Sequence, residues 1–324
     1  MLPERFAEPD GFQWAGFTDA NGAHIRYGAL QSKGAPRGTI VIVSGFRECI
    51  EKYFEVMRDM TERGFAVWMM DWHGQGGSDR YLKNPQKMHN RGYEEHIATL
   101  HQFTRDIVKP ASGPLILVAH SMGAHIGLRF MKEHEGVFAA AVMTSPMCDV
   151  LTPGLFRPVA HVLASLAKMA GCLEKYVPGG HDWDARDEVF NGNKVTSDPK
   201  RFGVVPKLFK LKPELKMGAP TYGWAWHTFR SIEVLRSESY LKTIAQPILA
   251  GIAGNDTIVD LKAAERACGL LPYCRRVDVP AARHEIWMER DDLRGPWLEK
   301  VTVFLEEQFG NNQENTIHAA PELS

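Results

Sequence analysis

An α/β fold on a mainly parallel, doubly wound sheet is predicted by three observations. Apolar runs of strand length recur at 39–44, 65–70, 115–119, 137–144, 246–252 and 275–279. Helix-period segments separate most of them, and strands alternating with helices at this spacing need parallel crossovers. The alternation breaks once, over 148–236, where Pro, Gly, Trp and short amphipathic pieces replace it. The expected organisation is therefore a core in two parts, 1–147 and 237–310, with a mostly helical cap inserted at 148–236. A flexible tail is expected at 311–324. A chain of 324 residues is long enough for one such domain plus an insertion.

Each element has its own signal. Trp14 and Phe17 before Asp19-Ala20-Asn21-Gly22, with His24 to Tyr27 after it, read as an opening hairpin, since Asn-Gly favours a tight turn. Strand 39–44 delivers Ser44-Gly45-Phe46-Arg47-Glu48 to its C-terminal end. Helix 51–63 follows, stopped by Gly64. Strand 65–70 runs into the glycine-rich turn 71–79, and a helix is expected over 93–108. Strand 115–119 breaks at His120-Ser121-Met122-Gly123, after which Ile126, Leu128 and Phe130 fall on a helix. Strand 137–144 ends at Ser145-Pro146. Beyond the insertion, strands 246–252 and 275–279 resume the pattern, and a last helix is expected over 296–309.

The break at Ser121 carries the chemistry. A strand, an abrupt turn with small residues (Ala119, Gly123) two positions either side of a serine, then a helix, together make a nucleophile elbow. Such a turn lifts the serine hydroxyl above the sheet at a helix N-terminus, whose dipole favours developing negative charge. The alternative is a serine N-cap on an ordinary helix. A nucleophilic serine needs a base, and the base needs an orienting carboxylate. Asp256 lies in the loop just after strand 246–252, with Asp260 ranked second. His284 follows strand 275–279. The order Ser121, Asp256, His284 is that of the α/β-hydrolases. His73, His120 and His125 lose to His284 on position and read as structural or pocket-lining.

Several motifs together resemble the monoacylglycerol lipase and bacterial lysophospholipase branch of the α/β-hydrolases, often grouped with serine aminopeptidases. They are the elbow Ala-His-Ser-Met-Gly, the Gly-x-x-Glu loop ending at Glu48, Asp-x-His-Gly-x-Gly-x-Ser from Asp71 to Ser78, and Arg-His-Glu-Ile-x-Met-Glu-Arg. In the cap the likeness extends through Phe190-Asn191 to Arg201-Phe202 and through 219–224. The resemblance implies the α/β-hydrolase fold and a serine hydrolase cleaving lipid-type carboxylic esters. It also implies an oxyanion hole formed by the backbone N–H groups of Phe46 and Met122. This chain has Ser44 where the family usually has His, and Ala119 where it usually has Gly.

The cap supplies candidates for substrate contact: Tyr222, Trp224 and Phe156, among other aromatic, leucine and methionine residues that serve equally well as the cap's own core. Lys200, Arg201, Lys207, Lys210, Lys212 and Lys216 form a basic stretch, read as a solvated face or as a site meeting anionic membrane surface or a phosphate headgroup. Asp182, Asp184, Asp187 and Glu188 are the candidates for binding a free amino terminus if the reaction were that of a peptidase. A non-catalytic binding module is the third class, which an intact triad opposes. The formal net charge of −1 gives no reason to expect nucleic acid. Neither a signal-peptide run nor a stretch of about 20 apolar residues is present. The five cysteines have no paired ligand spacing and read as reduced thiols, so a cytoplasmic protein without metal or organic cofactor is expected. Peripheral membrane contact through the cap is left open, as is the oligomeric state.

Overall fold

The computed structural model describes residues 2–110, 113–152 and 156–310. The tail expected at 311–324 lies outside them. β1 (Gln13–Thr18) and β2 (His24–Leu30) form the opening hairpin. Its turn is held by the Asp19 carboxylate, which accepts the N–H groups of Asn21 and Ala23 at 2.9 Å. β3 (Gly38–Val43), α1 (Phe54–Glu62), β4 (Phe65–Met70), α2 (Tyr93–Gln102), β5 (Leu115–His120), α3 (Met122–Glu133) and β6 (Ala140–Thr144) follow. Then come α4 (Arg157–Met169), α5 (Pro199–Phe202), α6 (Val204–Leu211), α7 (Tyr222–Leu235) and α8 (Glu238–Leu241). The core closes with β7 (Ile248–Ala253), α9 (Leu261–Leu270), β8 (Cys274–Val279) and α10 (Asp291–Phe309).

These strands make one eight-stranded sheet in the order β1-β2-β4-β3-β5-β6-β7-β8, antiparallel at β1-β2-β4 and parallel thereafter. Both faces are covered, which is why the central strands read as continuous apolar runs. Within β3, Val41 and Val43 face the cluster under α2, α3 and α9, while Ile40 and Ile42 face the one under α1 and α10. The winding direction reverses between β3 and β5. The crevice beyond their C-terminal ends, where ligands bind in open α/β sheets, therefore receives the loops after β3 and β5 together.

Between β6 and β7 the described residues contain no strand, and α4 packs on α7 across this region. Several sequence expectations shift. The helix expected over 93–108 is α-helical only to Gln102 and passes into a π-helical turn over Phe103–Ile107. β6 begins at Ala140, since 137–139 only approach the sheet. α10 begins at Asp291, five residues before the predicted start, with Pro296 inside it. The carbonyl that Pro296 leaves without a helical donor is that of exposed Asp292, within reach of water. Asp291 and Asp292 complement the helix dipole in the first turn. Among the described residues no helix is long and apolar enough to cross a membrane.

Candidate active site

Ser121 joins β5 to α3 with φ 51° and ψ −115°, a left-handed backbone that a non-glycine residue adopts only when its surroundings impose it. They do so on three sides. Its N–H donates to the Thr144 carbonyl at 3.0 Å, while its own carbonyl accepts from His125 at 3.1 Å and Met147 at 3.2 Å. A methyl group on Gly123 would sit 2.3 Å from the Val43 carbonyl oxygen, so only glycine lets α3 start this close to β3.

The loops after β7 and β8 bring the other two residues to the same point. His284 Nε2 lies 2.9 Å from Ser121 Oγ, and its Nδ1 lies 2.6 Å from Asp256 Oδ2. All three residues are buried. With the proton on Nδ1, which the carboxylate favours, Nε2 is left free to accept from the serine. Two supports fix the arrangement. Ser145, itself at φ 44°, donates its hydroxyl to the His284 carbonyl at 2.6 Å. The second Asp256 oxygen accepts the N–H groups of Ile258 and Val259. Burial pushes the Asp256 carboxyl up. The His284 hydrogen bond and charge, with those two N–H groups, outweigh it and hold Asp256 below the ordinary range. Asp260, the second candidate, instead caps α9.

Phe46 lies in the loop after β3, and Met122 is the first residue of α3. Neither N–H has an acceptor among the described residues. Ser44 is buried, and its carbonyl accepts from Trp72 Nε1 at 2.9 Å; Gln75 Nε2 donates to the carbonyls of Gly45 and Glu48. Glu48 accepts from the Gly45 N–H, from Tyr53 OH at 2.7 Å and from Lys52 Nζ at 2.6 Å.

Lys52 also reaches Glu285, next to His284, at 2.7 Å. One buried ammonium thus ties the loop after β3 to the loop carrying the histidine. Desolvation would raise both carboxyls. For Glu48 the Lys52 charge overcomes it and the carboxyl is lowered; for Glu285 burial wins over Lys52, aided by repulsion from Glu48, and the carboxyl is raised. Glu48, His120 and Glu285 are close enough to share an ion, but Lys52 already supplies the positive charge between the carboxylates. The donor set does not fit a metal. The i, i+4 spacing of Glu48 and Lys52 was visible in the sequence, whereas the bridge to Glu285 spans 233 positions in the numbering.

Ser121 and His284 open onto a cavity of about 530 Å³. Its apolar lining includes Phe46, Met147, Val150, Trp224, Ile258 and Val259, and residues of the segment 183–206, Arg186, Asp187 and Lys194 among them, line it too. Of the predicted substrate contacts, Trp224 lines this cavity; Tyr222 and Phe156 do not. Two residues apart on α7, Tyr222 and Trp224 point about 200° apart around the helix and cannot share one wall. Phe156 precedes α4 and is 76% exposed.

Half of the basic stretch is paired. Arg201 is buried and paired with Glu55, Asp198 and Asp291, while Lys210 pairs with Glu188 and Lys212 with Glu51. The acidic candidates are likewise engaged: Asp182 with Asn84 and Tyr176, Asp184 with Arg186, and Asp187 with Arg47. Of His73, His120 and His125, only His120 lines the main cavity; His125 is fully buried between the Met147 carbonyl and Ser231.

Known proteins resemble this chain in sequence and in fold. The chain is 27% identical over 303 residues to lysophospholipase L2 of Escherichia coli K12, covering 90% of this chain and 86% of that one. It is 26% identical over 210 residues to a monoacylglycerol lipase of Mycolicibacterium smegmatis, covering 62% and 65%. Among solved structures, a carboxyl esterase from Bacillus coagulans in complex with glycerol superposes with a TM-score of 0.70 at 18% identity, over 93% of this chain and 100% of that one. A soluble variant of monoglyceride lipase from Saccharomyces cerevisiae gives 0.68 at 17%, over 92% and 95%. These likenesses make the fold an α/β-hydrolase fold. The family model described as serine aminopeptidase, S33, matches residues 34–291, and the chain belongs to that family of hydrolases.

Proposed function

We propose that this protein is a serine ester hydrolase acting on lipid-type carboxylic esters, a lysophospholipid or a monoacylglycerol. The observation that carries the reading is the continuous Ser121–His284–Asp256 hydrogen-bond chain at a positive-φ elbow, opening onto a largely apolar cavity. Ser121 Oγ attacks the ester carbonyl as His284 Nε2 takes its proton, and Asp256 stabilises the imidazolium. The N–H groups of Phe46 and Met122 receive the oxyanion. The alkoxide leaves with the proton from His284. A water, deprotonated by the same imidazole, then releases the acid from the acyl-serine. The reaction written this way uses no metal or organic cofactor.

The lipid assignment is supported by the apolar lining and by relatives named lysophospholipase and monoacylglycerol lipase. Against the peptidase reading, the carboxylates that would hold a free amino terminus are spoken for by Asn84, Tyr176, Arg186 and Arg47. We take 148–236 as the cap over the cavity. On α4 and just before it, Phe156, Val159, Val162, Leu166 and Met169 recur every three or four residues and are all exposed. A peripheral lipid contact belongs on that face; Met169→Glu should weaken co-sedimentation with phosphatidylglycerol vesicles.

Acyl release from a monoacylglycerol and a lysophosphatidylcholine of matched chain length tests the reaction, with Ser121→Ala as control. Release from one or both, lost by a factor on the order of 10⁶ in the variant, is expected. Release that survives in Ser121→Ala would overturn the assignment. A fluorophosphonate-labelled serine with no release from either ester would overturn the lipid substrate alone.

A further inference from the structure

A second, smaller cavity lies behind Phe46 and Met122. Trp224, His73, Asn90 and His96 line it as well. Phe46 and Trp224 face both cavities, their ring centroids 4.4 Å apart, and so form the partition between them. Four of the lining residues carry buried polar atoms with no hydrogen-bond partner among the described residues. These atoms are Asn90 Oδ1 and Nδ2, His73 Nδ1, His96 Nδ1 and Trp224 Nε1. Asn90 is 1% exposed and His96 3%.

Buried polar atoms are almost always satisfied, because leaving one unpaired forfeits its hydration without return. Four of these five atoms can share one explanation, since a single water makes up to four hydrogen bonds. Burial holds His96 down to about 3 and lowers His73, so both imidazoles are neutral and each offers one acceptor nitrogen. No Asp, Glu, Lys or Arg lines the cavity. It suits neither a cation nor an anion. Its volume, about 10 Å³, is roughly what one water requires.

We propose that this cavity is a built binding site for one small neutral hydroxylic molecule, water in the cell, held by Asn90, Trp224 and one of the two imidazoles, His73 or His96. Four of the five atoms fill the water's donor and acceptor positions. Trp224 Nε1–H and Asn90 Nδ2–H donate to the water oxygen, while Asn90 Oδ1 and an imidazole Nδ1 accept its two protons. The water anchors the Trp224 indole from behind, and the indole backs Phe46. The site itself does not depend on the catalytic reading; the consequence for the oxyanion loop does.

A crystal structure near 1.5 Å tests the site directly. Expected is one ordered peak within about 2.7–3.2 Å of the Asn90 amide and Trp224 Nε1. A cavity without density, or an Asn90 amide turned to bond protein instead, would overturn the proposal. The thermal midpoint of Asn90→Leu, which keeps the side chain's heavy-atom count and branching, gives an independent sign test. If water is bound, the variant strands it and leaves Trp224 and the bonded imidazole short of partners, so the midpoint falls by several degrees. If the cavity is dry, removing two unsatisfied atoms raises the midpoint and refutes the site.

Discussion

The most exacting test of the elbow is Gly123→Ala, because its effect can be worked from distances. The added methyl would lie 2.3 Å from the Val43 carbonyl oxygen and 2.6 Å from that of Ser44. Contacts below 3.0 Å essentially never occur for a real Cβ. Both neighbours are backbone atoms of β3 and its exit, which cannot swing aside as a side chain would. α3 and β3 must therefore part by about 0.7 Å at the elbow. Overpacking of this kind costs about 1–3 kcal/mol, a fall of a few degrees in thermal midpoint. The larger effect is on chemistry. Phe46 stands just beyond Ser44 on the displaced strand end, and Met122 moves with the helix, so both proposed oxyanion donors lose alignment. Misplacement on the order of 1 Å costs about 10²-fold in turnover, at the lower edge of losing one donor outright, about 10²–10³. The assay is kcat and KM on a p-nitrophenyl ester with a parallel thermal melt. Gly269→Ala serves as control, since a methyl there meets nothing within 4 Å. Wild-type turnover and an unchanged melt in Gly123→Ala would refute the steric argument.

Further predictions concern the charges around the site. Lys52→Met leaves two buried carboxylates facing each other unpaired and should cost about 3–5 kcal/mol in urea unfolding, with Lys52→Arg recovering much of it. Asp256→Asn should keep Ser121 in place but lower kcat about 10⁴-fold, because the imidazole loses its orienting acceptor; stopped-flow burst kinetics would read the loss in acylation. The two carboxyls on Lys52 act on stability in opposite directions with pH. Glu285 is raised above its ordinary 4.5, so its contribution improves as pH falls through its folded value toward 4.5. Glu48 is lowered, so the stability it contributes is full above 4.5 and is lost as pH falls through its depressed folded value. Chemical denaturation between pH 4 and 8 should show the mild-acid gain in the wild type and its absence in Glu285→Gln.

What the sequence disclosed follows from how locally each feature is encoded. β3, β4 and β5 are buried on both faces, so each announces itself as an unbroken apolar run over four to six neighbouring residues. The elbow is local too: the demand for small residues beside Ser121 comes from contacts that any strand–turn–helix of this shape must make. One rule, that a residue just past a strand's C-terminal end reaches the crevice, points to Asp256 and His284, but it admits His73 after β4 as well, and only the glycine-rich turn there counts against it. Helical phase is less forgiving. Whether Tyr222 or Trp224 faces the cavity depends on how α7 is rotated about its axis, which the partners of the helix decide and its own composition does not.

Charges are harder still, because neutralisation is long-range. Arg201 looked like part of a basic surface, yet its guanidinium is buried against Glu55, 146 positions away, and its remaining partners include Asp291 from the start of α10. The same distance rule hid the Lys52 bridge to Glu285 and the convergence of His73, Asn90, His96 and Trp224 on one small cavity. In each case the residue type was in plain view and its meaning was set by a partner from another loop. Residues whose role rests on a short-range steric demand can be read from the chain. Those whose role rests on satisfying a buried polar group appear only when the fold brings the group and its partner, protein or solvent, to the same place.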